Sequence, residues 1–157
     1  MLKSYLILVL ICFTTIANAQ SVTIDSALSF LPNASKESVN YQQDFLDYSQ
    51  TSAPNSFESN ISFSLEEVSS QTNIYIDASY HYLLIYSYLS NALDRKLAKP
   101  IIENQLKDYS KHLGLLITTV NNNISFSKKL SVITSGNQLK NLLRELKSIL
   151  SNISLKN

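Results

Sequence analysis

Residues 64–93, SLEEVSSQTNIYIDASYHYLLIYSYLSNAL, decide the predicted fold class. They open with Ser64-Leu-Glu-Glu67, a capping-box pattern in which the serine hydroxyl accepts from the third helical N–H and the glutamate reaches back. Apolar and aromatic side chains then recur every three or four residues, on one helical face: Val68, Tyr75, Tyr82, Tyr86, Leu89 and Leu93. From Tyr82 to Leu89 the segment is apolar nearly all round, which is typical of a helix that is buried on two sides or used in assembly.

Two further helices are predicted after this one. Pro100 suits the first position of a helix that runs to about Val120, since proline is tolerated where the N–H has no intrahelical partner. Ser135-Gly-Asn-Gln138 is a second capping-box pattern, and it opens a helix with an apolar stripe ending at Ile153. Residues 124–133 are ambiguous. Three helices predict an all-α protein.

The first nineteen residues predict a secretory signal peptide. A short basic start with Lys3 precedes an apolar run over residues 5–16, and Ala17-Asn-Ala19 matches the small-residue pattern of signal peptidase sites. The run is shorter than the roughly 20 residues that a membrane span needs, and no later stretch is long enough either. We therefore expect a secreted chain with no membrane association after cleavage before Gln20.

The next segment, residues 20–63, is rich in Ser and Asn and is interrupted by Pro32 and Pro54. It predicts a polar N-terminal segment with a short amphipathic helix over residues 35–49 and a linker over residues 51–60. The helical domain is accordingly placed at residues 64–157.

Composition excludes several functional classes. The chain has 157 residues, one Cys and two Gly. The single Cys rules out Cys-based zinc sites and disulfide scaffolds, and no glycine-rich phosphate loop or G-x-S-x-G elbow can be written. We expect no enzyme activity. A Ser-His-Asp triad is the one arrangement that the sequence does not exclude, because the chain contains many serines.

Charge is divided unevenly along the chain. Residues 20–93 carry one Lys against eight acids, whereas residues 94–157 carry eleven Lys or Arg against four acids. The basic half alone would suit nucleic acid, but the acidic half opposes that interpretation, and we expect no nucleic-acid partner. The pattern favours pairing of the two halves with each other, within or between subunits.

One set of residues has the chemistry of a metal site. Asp108 and His112 are four residues apart and share a helical face, and Glu103 lies on a neighbouring stripe of the same predicted helix. The alternative is an exposed Asp–His pair on a solvated face. The tyrosines between Tyr75 and Tyr88 suit either redox chemistry or a packed aromatic core.

The segment Gln71-Thr-Asn73-Ile-Tyr-Ile-Asp-Ala78-Ser79-Tyr80-His-Tyr82-Leu83 resembles the first bundle helix of ferritins, Q-x-N-x-E-x-x-A-S-Y-x-Y-L. Its continuation through Ile85 resembles secreted insect ferritin light-chain-like subunits. Asp108-Tyr-Ser-Lys-His112 falls where the family's second helix carries E-E-x-E-H. The resemblance covers about residues 65–125, and it implies a ferritin-like helical bundle.

The resemblance also implies a dismantled oxidation centre. Tyr75 and Tyr109 stand where the family has glutamates, and His112 and Tyr82 remain. Because a diiron centre needs several carboxylates, we expect no ferroxidase activity. The implied function is a secreted, non-catalytic, iron-storing, iron-binding or structural subunit that forms homo- or hetero-oligomers through a helical face.

The resemblance has limits, and a second hypothesis stands beside it. Pro100 falls inside the family's second helix, the cysteines of insect secreted ferritins are missing, and 34 residues follow Asn123. We therefore expect an incomplete or truncated bundle, completed by the N-terminal segment or by a partner chain. The alternative function is a small secreted helical interaction module, of the effector, venom or salivary type, with no metal.

Overall fold

The computed structural model describes residues 22–155, and these residues form four α-helices. The helices are α1 (Ile24–Thr51), α2 (Phe57–Tyr88), α3 (Ala92–Phe126) and α4 (Leu130–Asn152). The prediction of an all-α protein is confirmed. None of these four helices combines the length and the apolar character that crossing a membrane requires.

The helices pack as an up-and-down bundle. Connections of three to five residues join them, which makes consecutive helices antiparallel neighbours. Each helix contacts the next, and α4 also contacts α1. The ends of the described chain meet beside one another, where the Val22 N–H donates to the Asn152 carbonyl at 3.0 Å and the Ser154 N–H donates to the Val22 carbonyl at 3.1 Å.

The N-terminal segment is the largest difference from the sequence prediction. Residues 24–51 form one 28-residue helix, α1, and not a polar segment with a short helix at residues 35–49. The hydroxyl of Thr23 caps it by accepting from the Ser26 N–H at 3.2 Å. The helix buries Leu31 and Phe45 against the other helices and completes the bundle. The predicted signal peptide, residues 1–19, lies outside the described residues.

The predicted starts of the three helices are also wrong. Ser64 and Ser135 lie inside helices, where their hydroxyls make tertiary hydrogen bonds: Ser64 accepts from Asn123 Nδ2, and Ser135 donates to Asp44 Oδ2. The helix α2 begins instead after Ser56, which accepts from the Ser59 N–H at 3.2 Å. The α3 helix begins at Ala92 and carries Pro100 in its interior.

The buried side chains differ between the two halves of the bundle. In α1 and α2 many are small: Ala27, Ala34, Ser38, Ser62, Ser69, Thr72 and Ser79. In α3 and α4 most are leucine: Leu106, Leu113, Leu116, Leu139, Leu142, Leu143, Leu146 and Leu150. Gly136 brings α4 close to α3, since a Cβ there would lie 2.3 Å from Cγ2 of Ile124.

Candidate functional site on the second and third helices

Three tyrosines and a histidine meet where α2 and α3 run side by side. The ring centroids of Tyr75 and Tyr109 are 5.2 Å apart, and those of Tyr82 and Tyr109 are 6.3 Å apart. The ring of His112 stacks on Tyr75 at 5.7 Å with an interplanar angle of 19°. We call these four residues the tyrosine cluster.

Helical geometry explains why these residues converge. Tyr75 and Tyr82 are two turns apart on one face of α2, and Tyr109 and His112 are one turn apart on α3. The 89–91 connection makes the helices antiparallel, so each pair faces the other. The tyrosines are half-buried and His112 is exposed, which leaves one side of the cluster open to solvent.

The cluster combines apolar packing with polar groups. Burial raises the pKa of the Tyr109 hydroxyl, and the neighbouring phenols of Tyr82 and Tyr75 raise it further, so Tyr109 stays protonated at neutral pH. Nδ1 of His112 lies 2.8 Å from the Asp108 carbonyl; with the proton on Nδ1, Nε2 keeps its lone pair. One turn before Tyr109, the buried Oε1 of Gln105 has no hydrogen-bond partner among residues 22–155.

The three predicted metal ligands take separate positions. His112 stacks on Tyr75, toward α2. The Asp108 carboxylate pairs instead with Lys111 Nζ at 2.8 Å, which lowers the pKa of Asp108. Glu103 lines a groove between α3 and α4 together with Lys107.

The structure thus brings His112 and Asp108 onto one part of α3 and leaves Glu103 on another. Within residues 22–155, no group of three or more His, Cys, Asp or Glu side chains is placed to hold a metal ion. The residues at the cluster therefore do not fit a diiron centre, which needs bridging carboxylates to balance two cations.

Large apolar side chains surround the cluster on the solvent side of both helices. Ile74 and Ile85 of α2 are 63% and 58% exposed, and Ile101 and Leu115 of α3 are 63% and 66% exposed. Ile74 and Ile85 are eleven residues apart and so lie on one face of α2, next to the stripe of Tyr75 and Tyr82. We call these four aliphatic residues together with the tyrosine cluster the tyrosine face.

Such a face has a limited chemical repertoire. Phenol rings stack, pack against apolar groups and hydrogen bond through their hydroxyls, and these properties make tyrosine common at binding surfaces. A deprotonated phenol is also a hard oxygen ligand of the kind that ferric iron accepts, and imidazole nitrogen binds iron as well. The sequence contained the four residues of the cluster in its resemblance to ferritins, but their contact with one another follows from helix pairing.

Comparison with known proteins leaves the family open. No family model, curated protein or solved structure matches the chain. The fold and the site define an all-helical bundle with an aromatic surface. The resemblance to ferritins therefore depends on residues 71–83 and on the segment that ends at His112.

Proposed function

We propose that this chain is a secreted, non-catalytic helical protein that acts by binding another protein through the tyrosine face. The observation that carries the proposal is the exposure of Ile74, Ile85, Ile101 and Leu115 around three half-buried tyrosines. Contiguous apolar surface on a soluble protein marks interaction sites, and tyrosine is enriched among the residues that dominate binding energy.

The supporting argument is energetic. Each exposed isoleucine or leucine would contribute about 1.5–3 kcal/mol if it were fully buried in a complex. The tyrosine rings are held by contacts with one another and with His112, so little rotamer entropy remains to be lost when a partner binds. This preorganisation favours a binding role over a purely structural one for the face.

The experiment compares two matched double variants as affinity baits for secreted proteins of the source organism. Ile85→Asp with Leu115→Asp places charges on the tyrosine face, whereas Val39→Asp with Leu130→Asp places them on exposed positions of α1 and α4. We expect a specific partner to bind the wild type and the second variant and to be lost from the first. Circular dichroism confirms that both variants fold. Equal capture by both variants would contradict the proposal.

A second candidate function is an iron-associated, ferritin-like subunit without ferroxidase chemistry. The specific observation that favours it is the convergence of Tyr75, Tyr82, Tyr109 and His112, the positions that the resemblance places around the family's oxidation centre. The phenolates of Tyr75 and Tyr109, together with Nε2 of His112, would supply two oxygen ligands and one nitrogen ligand to one ferric ion. Each phenol would release its proton to solvent on binding.

This candidate has a spectroscopic test. Addition of an equimolar ferric chelate should produce a visible phenolate-to-iron charge-transfer band, and Tyr75→Phe with Tyr109→Phe should abolish it. Tyr41→Phe with Tyr88→Phe, outside the cluster, is the control and should leave the band unchanged. Absence of the band in the wild type would reject iron binding at the cluster, and the light-scattering mass would separately show whether a large assembly forms.

A further inference from the structure

The acidic and basic halves of the sequence lie on two different sides of the bundle. The α1–α2 hairpin, residues 22–88, carries eight acids and only Lys36 as a base; we call it the acidic hairpin. The α3–α4 hairpin, residues 92–155, carries ten Lys or Arg and four acids; we call it the basic hairpin. Because the helices follow one another around the bundle, the two hairpins form its opposite sides.

These charges do not pair with each other inside the described part of the molecule. Among residues 22–155, no salt bridge within 4 Å joins the acidic hairpin to the basic hairpin, and the pair Lys111–Asp108 lies within α3. Two acids do reach across: Glu58 accepts from the Ser127 hydroxyl and the Lys128 N–H, and Asp44 accepts from Ser135. Both use neutral donors.

Both sides of the bundle expose charged side chains. The exposed acids of the acidic hairpin are Asp25, Glu37, Asp47, Glu67 and Asp77. On the opposite side, a groove of about 500 Å³ between α3 and α4 is lined by Lys107, Lys111 and Lys147 and by one acid, Glu103. Two helix layers, about 20 Å, separate the outer faces, which exceeds the Debye length of about 8 Å at physiological salt.

The groove combines serine hydroxyls with the aliphatic side chains of Leu150 and Ile153. The Ser110 and Ser151 hydroxyls lie 2.6 Å apart, and Ser151 donates to the Lys147 carbonyl at 2.7 Å. Gly114 leaves room for the lysine, since a Cβ there would lie 3.3 Å from Lys147 Nζ. Lys107 and Lys147 are exposed, and within residues 22–155 neither forms a salt bridge, so their ammonium groups are available to an acidic partner.

We propose that the acidic hairpin of one copy docks on the α3–α4 groove of a second copy, in a head-to-tail contact. The partner is a second copy because the two hairpins carry nearly equal and opposite net charges, so each outer face is the electrostatic complement of the other. Such a contact joins different surfaces, and it repeats into rings or open chains. The tyrosine face lies on a third side and stays free.

The test measures the mass of the purified chain by sedimentation velocity at low and high salt, about 20 mM and about 500 mM NaCl, which span Debye lengths of roughly 20 to 4 Å. We expect association at low salt and monomer at high salt. Glu37→Lys with Glu67→Lys, and separately Lys107→Glu with Lys147→Glu, should each weaken association by about tenfold or more. All four positions are exposed, and Glu and Lys have similar helix propensity, so folding should persist.

Two controls make the result specific. An equimolar mixture of the two reversed variants should form a heterodimer, because the unchanged groove of the first variant can bind the unchanged acidic hairpin of the second. Lys36→Glu with Glu145→Lys reverses the one base of the acidic hairpin and one of the four acids of the basic hairpin without changing net charge, and it should strengthen association. A wild-type chain that stays monomeric at low salt up to about 1 mM overturns the proposal. Association that is unchanged by salt and by charge reversal also overturns the proposal. A chain that stays monomeric and binds heparin overturns it as well.

Discussion

The two hairpins of this bundle bury different sets of side chains. The acidic hairpin buries seven alanine, serine and threonine residues alongside eight larger ones such as Phe45, and the Ser38 hydroxyl of α1 donates to the Ser69 carbonyl of α2. In the basic hairpin the most frequent buried residue is leucine. Leucine burial stabilises by removing apolar area from water, whereas small side chains stabilise by letting the two helices approach closely. Replacing a buried side chain by alanine should therefore change the unfolding free energy differently in the two hairpins.

The largest effect is expected for truncation in the basic hairpin. Leu143 of α4 is fully buried, and Leu143→Ala should cost about 3 kcal/mol of unfolding free energy, from lost transfer energy and the cavity left behind. Urea titration followed by circular dichroism measures the loss. Leu130→Ala in the same helix is the control, since Leu130 is 77% exposed and should change stability by less than about 0.5 kcal/mol. Equal midpoints for the two variants would contradict the leucine-based account.

A smaller effect is expected where the hairpins are joined by a carboxylate. Hydrogen bonds from the Lys128 N–H and the Ser127 hydroxyl lower the pKa of Glu58 in the folded state. A depressed folded pKa stabilises the fold above the unfolded pKa of Glu, and this stabilisation is lost as pH falls through the folded pKa. Glu58→Gln should cost about 1 kcal/mol at neutral pH, since the site is partly exposed to solvent.

The pH dependence separates this role from a change in packing. The difference in unfolding free energy between wild type and Glu58→Gln should shrink toward zero as the pH falls through the folded pKa of Glu58. Glu145→Gln on the exposed face of α4 is the matched control and should have little effect at any pH. A Glu58→Gln deficit that stays constant down to acid pH would show that the carboxylate charge is not what matters.

The contrast between the hairpins also explains what the sequence could predict. Two apolar stripes, one with Leu106 and Leu113 and one with Leu139 and Leu142, have the 3.6-residue period that identifies helices, and they predict α3 and α4. The α1 helix escapes prediction because its sequence is rich in Ser, Asn and Gln and contains Pro32, a residue that is unfavourable inside a helix. Burial of small side chains depends on the facing helix, which local pattern does not contain.

The candidate site was also predictable only in part. The sequence identifies all four residues of the tyrosine cluster, because the resemblance to ferritins includes them. Their convergence depends on the antiparallel pairing of α2 and α3, which sets Tyr75 beside Tyr109. The sequence predicts Glu103 as a third metal ligand from a neighbouring stripe of the same helix as His112, and the structure places Glu103 in the α3–α4 groove.

The smallest expected effect has the opposite sign and tests the acidic hairpin directly. The Ser79 hydroxyl is fully buried in α2 and has no hydrogen-bond partner among residues 22–155. Ser79→Ala should therefore raise the unfolding free energy by about 0.5–1 kcal/mol, because it removes an unsatisfied polar group and improves helix propensity.

Ser38→Ala is the matched comparison for Ser79→Ala, since it is the same substitution at an equally buried site. The Ser38 hydroxyl donates to the Ser69 carbonyl at 2.8 Å, so its removal should cost up to about 1 kcal/mol. Thermal unfolding of both variants against wild type gives the two signs in one experiment. If both variants were destabilised equally, the buried serines of the acidic hairpin would act through shape alone, and the hydrogen bond between α1 and α2 would contribute nothing measurable.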